Sequence, residues 1–135
     1  MRSRRIIPVT ILAMIAPLGI ATLALAHIQA LTIDRQVDLF VNNSVAHVTG
    51  LIQCTATEDA SISVTILQTH GRELTLGSGF TNLVCDGMVQ SWEVLAPVTS
   101  GSYQSGPATA VAQANTFGAD GSDNQSVTAP VHLHK

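Results

Sequence analysis

In Val45-Ala46-His47-Val48-Thr49-Gly50-Leu51-Ile52-Gln53-Cys54, small and apolar residues recur at every second position. Side chains of a β-strand alternate between its two faces, so Ala46, Val48, Gly50, Ile52 and Cys54 are expected inside and His47, Thr49, Leu51 and Gln53 outside. The other cysteine closes a second strand-like run, Phe80-Thr81-Asn82-Leu83-Val84-Cys85. Asp86-Gly87 follows at once, and then Met88-Val89-Gln90-Ser91-Trp92-Glu93-Val94. Asp-Gly between two such runs predicts a type I′ hairpin, which needs positive φ at both central residues. Trp92 is expected to be the largest residue of the core, since its indole is costly to leave in water without a partner.

The same alternation recurs along the chain. Leu31 to Ile33 and Val37 to Val41 read as a broken first strand, with Asn42-Asn43 turning the chain into Val45. Ser61-Ile62-Ser63-Val64-Thr65-Ile66 alternates most cleanly and buries Ile62, Val64 and Ile66. His70-Gly71-Arg72 is a turn. Leu74 to Leu76 and Phe80 to Cys85 read as strand pieces separated by a bend or bulge at Gly77-Ser78-Gly79. Pro97 to Pro107 is a long Gly/Ser-rich connection containing Tyr103. Ala108, Ala110, Ala112 and Ala114 form one face of a further strand, Gly118 to Asn124 a turn, and Val127 to Leu133 the last strand. The expected fold is all-β: an immunoglobulin-like antiparallel β-sandwich of about seven strands. The cysteine spacing, and a tryptophan that follows both cysteines, set it apart from true immunoglobulin domains.

Residues 1–26 have a different character. Arg2, Arg4 and Arg5 precede an apolar run from Ile6 to about Leu25, and Ala24-Leu25-Ala26 fits a small-x-small cleavage pattern. This predicts a signal-peptide helix cut after Ala26, with residues 27–135 as the exported domain and no stable membrane insertion after cleavage. A run of about 20 apolar residues can also span a bilayer, but Pro17 and Gly19 interrupt this one and no basic stop-transfer cluster follows. Cleavage leaves 109 residues, with nine acidic side chains against Arg35, Arg72 and Lys135, a net charge of −6. Nucleic acid and anionic lipid need clustered positive charge, so neither is an expected partner. A protein or cell-surface partner remains.

In an oxidising compartment the two cysteines, Cys54 and Cys85, read as one disulfide. Neither has a CxxC partner or a histidine at metal-ligand spacing, which disfavours a metal pair or a catalytic thiol. The strand ending in Cys54, a polar gap, Ile62-Ser63-Val64-Thr65-Ile66-Leu67-Gln68, the glycine bend, Val84-Cys85-Asp86-Gly87, Trp92 and Gly106-Pro107-Ala108 together resemble a family of small secreted bacterial proteins of unknown function. The resemblance spans about residues 31 to 133. It implies a secreted, disulfide-bearing β-sandwich and supplies no catalytic residue.

Motifs for chemistry are sparse. There is no phosphate loop, zinc-protease His-Glu pair, nucleophile elbow or dinucleotide glycine pattern, and nothing local marks a strained serine. Cleavage after Ala26 would make His27 the first residue, offering an amine and an imidazole nitrogen. With His132 and His134, two residues apart on the last strand, it forms a candidate copper set. Asp120-Gly121-Ser122-Asp123-Asn124 carries oxygen ligands without the ordered loop of an EF-hand, and reads as a hairpin turn. A carbohydrate platform would draw on Phe40, Phe80, Trp92, Tyr103 and Phe117, most of which are expected inside. The leading expectation is a secreted, non-catalytic binding or surface-interaction domain. A small copper-binding protein comes second and a small secreted hydrolase third.

Overall fold

The computed structural model describes residues 27–119 and 121–135. The expected signal-peptide helix lies outside the described residues. Eight strands follow in order: β1 (Ile28–Ile33), β2 (Gln36–Phe40), β3 (Val45–Cys54), β4 (Asp59–His70), β5 (Glu73–Val84), β6 (Val89–Ser100), β7 (Gly106–Gly118) and β8 (Gly121–His134). Strand β3 is the hub. One of its edges pairs with β1 along Gly50 to Cys54 and with β2 along Val45 to His47. The other pairs with β6 from Val45 to Gln53. From β2 the ladder continues through β8, β7, β4 and β5 to β6 and so back to β3.

Two separate sheets are therefore replaced by one sheet closed into a seven-stranded barrel, with β1 as an extra strand. The closure depends on the break in the first strand. After Asp34-Arg35, β2 leaves the path of β1 and runs parallel to β8, pairing Gln36 with His132 and Asp38 with His134. All other pairings are antiparallel. Closure removes sheet edges that would otherwise be open to another chain.

The interior follows the alternation. Ala46, Val48, Ile52 and Cys54 of β3 are fully buried, as are Ile62, Val64 and Ile66 of β4 and Ala110, Ala112 and Ala114 of β7. Trp92 is only 3% exposed, and its indole N–H donates to the Leu51 carbonyl at 3.1 Å. The indole lies over Gly50, where a Cβ would stand 2.5 Å from the ring and 2.0 Å from the Thr32 carbonyl oxygen. Cys54 and Cys85 are bonded, with Cα atoms 5.4 Å apart. The bond ties the end of β3 to the segment leaving β5.

Several local expectations are corrected. Strand β5 runs unbroken through Gly77-Ser78-Gly79 as one strand and not two pieces, while the expected bulge is present as a register shift against β6 at Leu76/Gly77. Gly77 instead makes room for Tyr103, whose hydroxyl occupies the place of a Cβ and donates to the Ala96 carbonyl at 2.9 Å. Asp86-Gly87 is not a type I′ hairpin, because only Gly87 has positive φ (83°). The Asp86 carboxylate accepts from the Met88 N–H at 2.8 Å, an Asx turn. Nor do β5 and β6 pair beside it; their ladder is confined to Leu76–Ser100 and Gly77–Val98. The Gln90 amide spans the opening, donating to the Val84 carbonyl at 3.1 Å and accepting from the Asp86 N–H at 3.2 Å. The connection after β6 shrinks to residues 101–105, held by buried Gln68, which bonds the Gln104 N–H and carbonyl at 2.9 and 2.7 Å. The expected turn from Gly118 to Asn124 is shorter, because Gly118 already pairs with Gly121 and strand β8 begins there.

Candidate interaction face

Alternation that turns Ile62, Val64 and Ile66 inward turns Asp59, Ser61, Ser63, Thr65 and Leu67 outward from β4. Register then lays out rows across the sheet β8-β7-β4-β5. Ser63 stands between Phe80 and Gln113, and Gln113 faces Ser126. Thr65 stands between Ser78 and Val111, with Thr128 beyond. Ser61 stands between Asn82 and Asn115, with Asn124 beyond. The last row joins Val84, Asp59, Phe117 and Ser122. From the row of Asp59 to the row of Leu67, Thr109 and Pro130, Asp59 is the sole ionisable outward side chain among the described residues. Hydroxyls, amides and apolar groups make up the rest.

Large apolar side chains stand proud of this face. Phe80 is 70% exposed, Val84 59% and Phe117 56%. The expectation that most aromatic residues are needed inside therefore fails for Phe80, Phe117 and Phe40, while Trp92 and Tyr103 are buried. Three open grooves run along the same face. The first, about 560 Å³, lies between Ser63, Thr65, Ser78 and Phe80 and reaches Leu95 and Pro97 of β6. The second, about 380 Å³, lies among Asp59, Ser61, Asn82, Val84 and Phe117. The third, about 420 Å³, lies at the opposite end, among Leu67, Thr69, Leu74, Thr109 and Pro130.

The surface around β2, β3 and β6 also exposes large apolar side chains, Phe40, Leu51, Val89 and Leu95, and differs in the ionisable groups it carries. His47 contacts Glu93 at 3.1 Å, the Thr49 hydroxyl donates to Asp34 at 2.5 Å, and His134 contacts Asp38 at 3.1 Å. Exposed pairs of this kind contribute little to stability and mark a solvated surface.

The three histidines of the candidate copper set are not brought together. His132 and His134 stack with ring centroids 6.4 Å apart near the end of β8. His27 lies at the other end of that strand, with its backbone N–H 3.3 Å from Asp123 Oδ2 and its Nδ1 hydrogen-bonded to Glu58 Oε2. The nine residue-to-residue steps of strand from Asp123 to His132 span about 30 Å. No group of three His, Cys, Asp or Glu placed to hold a metal occurs among the described residues. Asp123 is engaged in the same way: it accepts from the N–H groups of Ile28 and His27, and the Ile28 bond leads in holding its carboxyl below the usual range.

Comparison with known proteins yields only a distant likeness of shape. No known protein family matches the sequence, and no curated protein sequence does. The chain is similar in structure to AggA, the major subunit of aggregative adherence fimbriae type I from Escherichia coli. That similarity has a TM-score of 0.39 at 9% identity, over 77% of this chain and 91% of that one.

Sequence reasoning located the buried half of this sheet and passed over the outer half. The signal was present in Ser61-x-Ser63-x-Thr65, in Gln113-x-Asn115 and in Asn124-x-Ser126-x-Thr128, three runs of uncharged polar residues at strand spacing. Glu58, Gln68 and Tyr103 gave no such signal, because each is buried by contacts distant in sequence.

Proposed function

We propose that this protein is a secreted, non-catalytic interaction domain that docks through the outer face of β8, β7, β4 and β5. One observation carries the reading: a face four strands wide on which Asp59 is the sole ionisable side chain across five rows, while Phe80, Val84 and Phe117 stand exposed. Interface cores are depleted in charged residues and enriched in aromatic ones. Serine, threonine, asparagine and glutamine add hydrogen-bonding capacity whose desolvation costs far less than that of charges. In a net acidic exported domain, this face is also where another surface can approach without meeting a like charge. A cell-surface or protein partner fits this chemistry, and an extracytoplasmic location fits the disulfide.

A photo-crosslinking side chain placed at Ser63 tests the reading against the same group at Thr49 on the charged side, with the full-length chain expressed and exported by its own host. Adducts forming from position 63 and not from position 49 support it. Adducts at both positions alike, or at 49 alone, overturn it.

A further inference from the structure

Where β1 meets β8 and the segment entering β4, His27 is held at its backbone nitrogen, its carbonyl and its Nδ1. Its carbonyl accepts from the Thr55 N–H at 2.9 Å. Its Nδ1 is hydrogen-bonded to Glu58 Oε2, and its backbone nitrogen is 3.3 Å from Asp123 Oδ2, which also accepts from the Ile28 N–H at 3.0 Å. Gln125 holds the next carbonyl, that of Ile28, at 2.9 Å. Glu58 is the anomaly here. Its side chain is only 7% exposed, it is packed against Gly118, where a Cβ would stand 2.9 Å from its carboxyl carbon, and its Oε1 has no partner among the described residues. A buried carboxyl oxygen without a partner is costly, so this corner is one donor short.

We infer that Asp123, with Glu58 holding the imidazole of the same residue, forms a seat for the α-ammonium group of His27, created when the Ala26–His27 peptide bond is hydrolysed. The inference rests on cleavage after Ala26, as read from the sequence. Water adds across the bond in a peptidase-catalysed step. Ala26 leaves with the new carboxylate, and the His27 nitrogen becomes an amine that takes up a proton. One amide N–H beside Asp123 is thereby replaced by three N–H donors and a unit of positive charge, on a residue whose imidazole is already held by Glu58. Before cleavage the same nitrogen has a single N–H and no charge. Processing therefore does more than release the domain: it completes the corner that fastens β1 to β8, and links maturation to the grip on the extra strand.

Lys135 is the sole lysine of the chain, so the processed protein has two amines and they can be told apart by mass. The full-length chain is expressed, the exported protein recovered and its amino terminus sequenced. It is then acetylated with an amine-selective ester near pH 7.5, folded and in urea. An unperturbed α-amine, with a pKa near 8, reacts well before a lysine. Seated against Asp123, the His27 amine is expected to react at least about tenfold more slowly in the folded protein than in urea, the factor that a one-unit rise in pKa produces. Asp123→Asn should abolish most of that protection and Glu58→Gln should weaken it. A terminus other than His27, equal rates folded and unfolded, or protection unchanged in Asp123→Asn would each overturn the inference. The comparison of folded and unfolded wild-type protein decides the matter even if a variant fails to fold.

Discussion

Replacing Tyr103 by phenylalanine removes one oxygen from the most enclosed aromatic of the barrel, and the outcome can be worked from its surroundings. The ring is 1% exposed, and its hydroxyl donates to the Ala96 carbonyl at 2.9 Å in the space left by Gly77. Deleting the hydroxyl leaves that carbonyl short of a donor and opens a small void, a cost of about 1 to 3 kcal/mol. A second effect concerns alkaline pH. Burial pushes the phenol from 10.0 up to about 12, so between those values the unfolded chain has released a proton that the folded chain still holds. The stabilisation is whole below pH 10 and is lost as pH rises toward 12, at up to about 1.4 kcal/mol per pH unit. Tyr103 is the sole tyrosine, so absorbance near 295 nm follows this one group directly. The expected titration midpoint is near 12 in the folded protein and near 10 in urea. In Tyr103→Phe, this steep alkaline loss of stability should disappear, although the variant is less stable at neutral pH. A phenol that titrates near 10 in the folded protein would refute the reasoning.

Other perturbations test other parts of the framework. Reducing the Cys54–Cys85 bond, or replacing both cysteines by alanine, frees a loop with a sequence separation of 31. On the chain-entropy account this should lower the unfolding free energy by about 3 to 4 kcal/mol, as read from urea denaturation; a change below about 1 kcal/mol would count against it. Gly50→Ala drives a Cβ to 2.0 Å from the Thr32 carbonyl oxygen and 2.5 Å from the Trp92 ring. Displacing β1 or the indole should cost at least about 2 kcal/mol and alter Trp92 fluorescence, and an unchanged spectrum and stability would contradict the packing. Gln68→Ala removes three bonds to the residue 101–107 segment. Faster protease cleavage in that connection is the expected result, and an unchanged cleavage rate would argue against the staple.

Much of the barrel was legible because period-2 alternation is written into single strands. The Val45 to Cys54 strand, the inward set Ile62, Val64 and Ile66, the alanine face of β7 and the burial of Trp92 all follow from it. Closure was not legible, since alternation states which side of a strand is apolar and is silent on whether β2 finds β8. The Asp86-Gly87 turn misled for a related reason. Its dipeptide suits a tight hairpin, but β6 pairs with β3 beside it, and that tertiary ladder overrides the local preference. Hydrophobicity alone predicts most of the five aromatic residues inside, and Phe80 and Phe117 are exceptions. Their parity with Ser63 and Asp59 across the register puts them on the outer face. The histidines show the opposite limit: chemistry pointed to a shared site, and the length of β8 separates His27 from His132 and His134.

The neutral face is the central claim, and charge insertion addresses it most directly. Ser63→Lys with Gln113→Lys puts two cations side by side in the middle row, at outward positions where substitution should change stability by no more than about 0.5 kcal/mol each. Thr49→Lys on the charged side serves as the control. Binding of purified, exported protein to the surface of intact host cells is measured as a function of concentration for all three proteins. The interaction-face account predicts saturable binding by the wild type and by Thr49→Lys, and at least a tenfold loss in the double variant with its thermal midpoint preserved. Equal binding by the double variant and the wild type would contradict it.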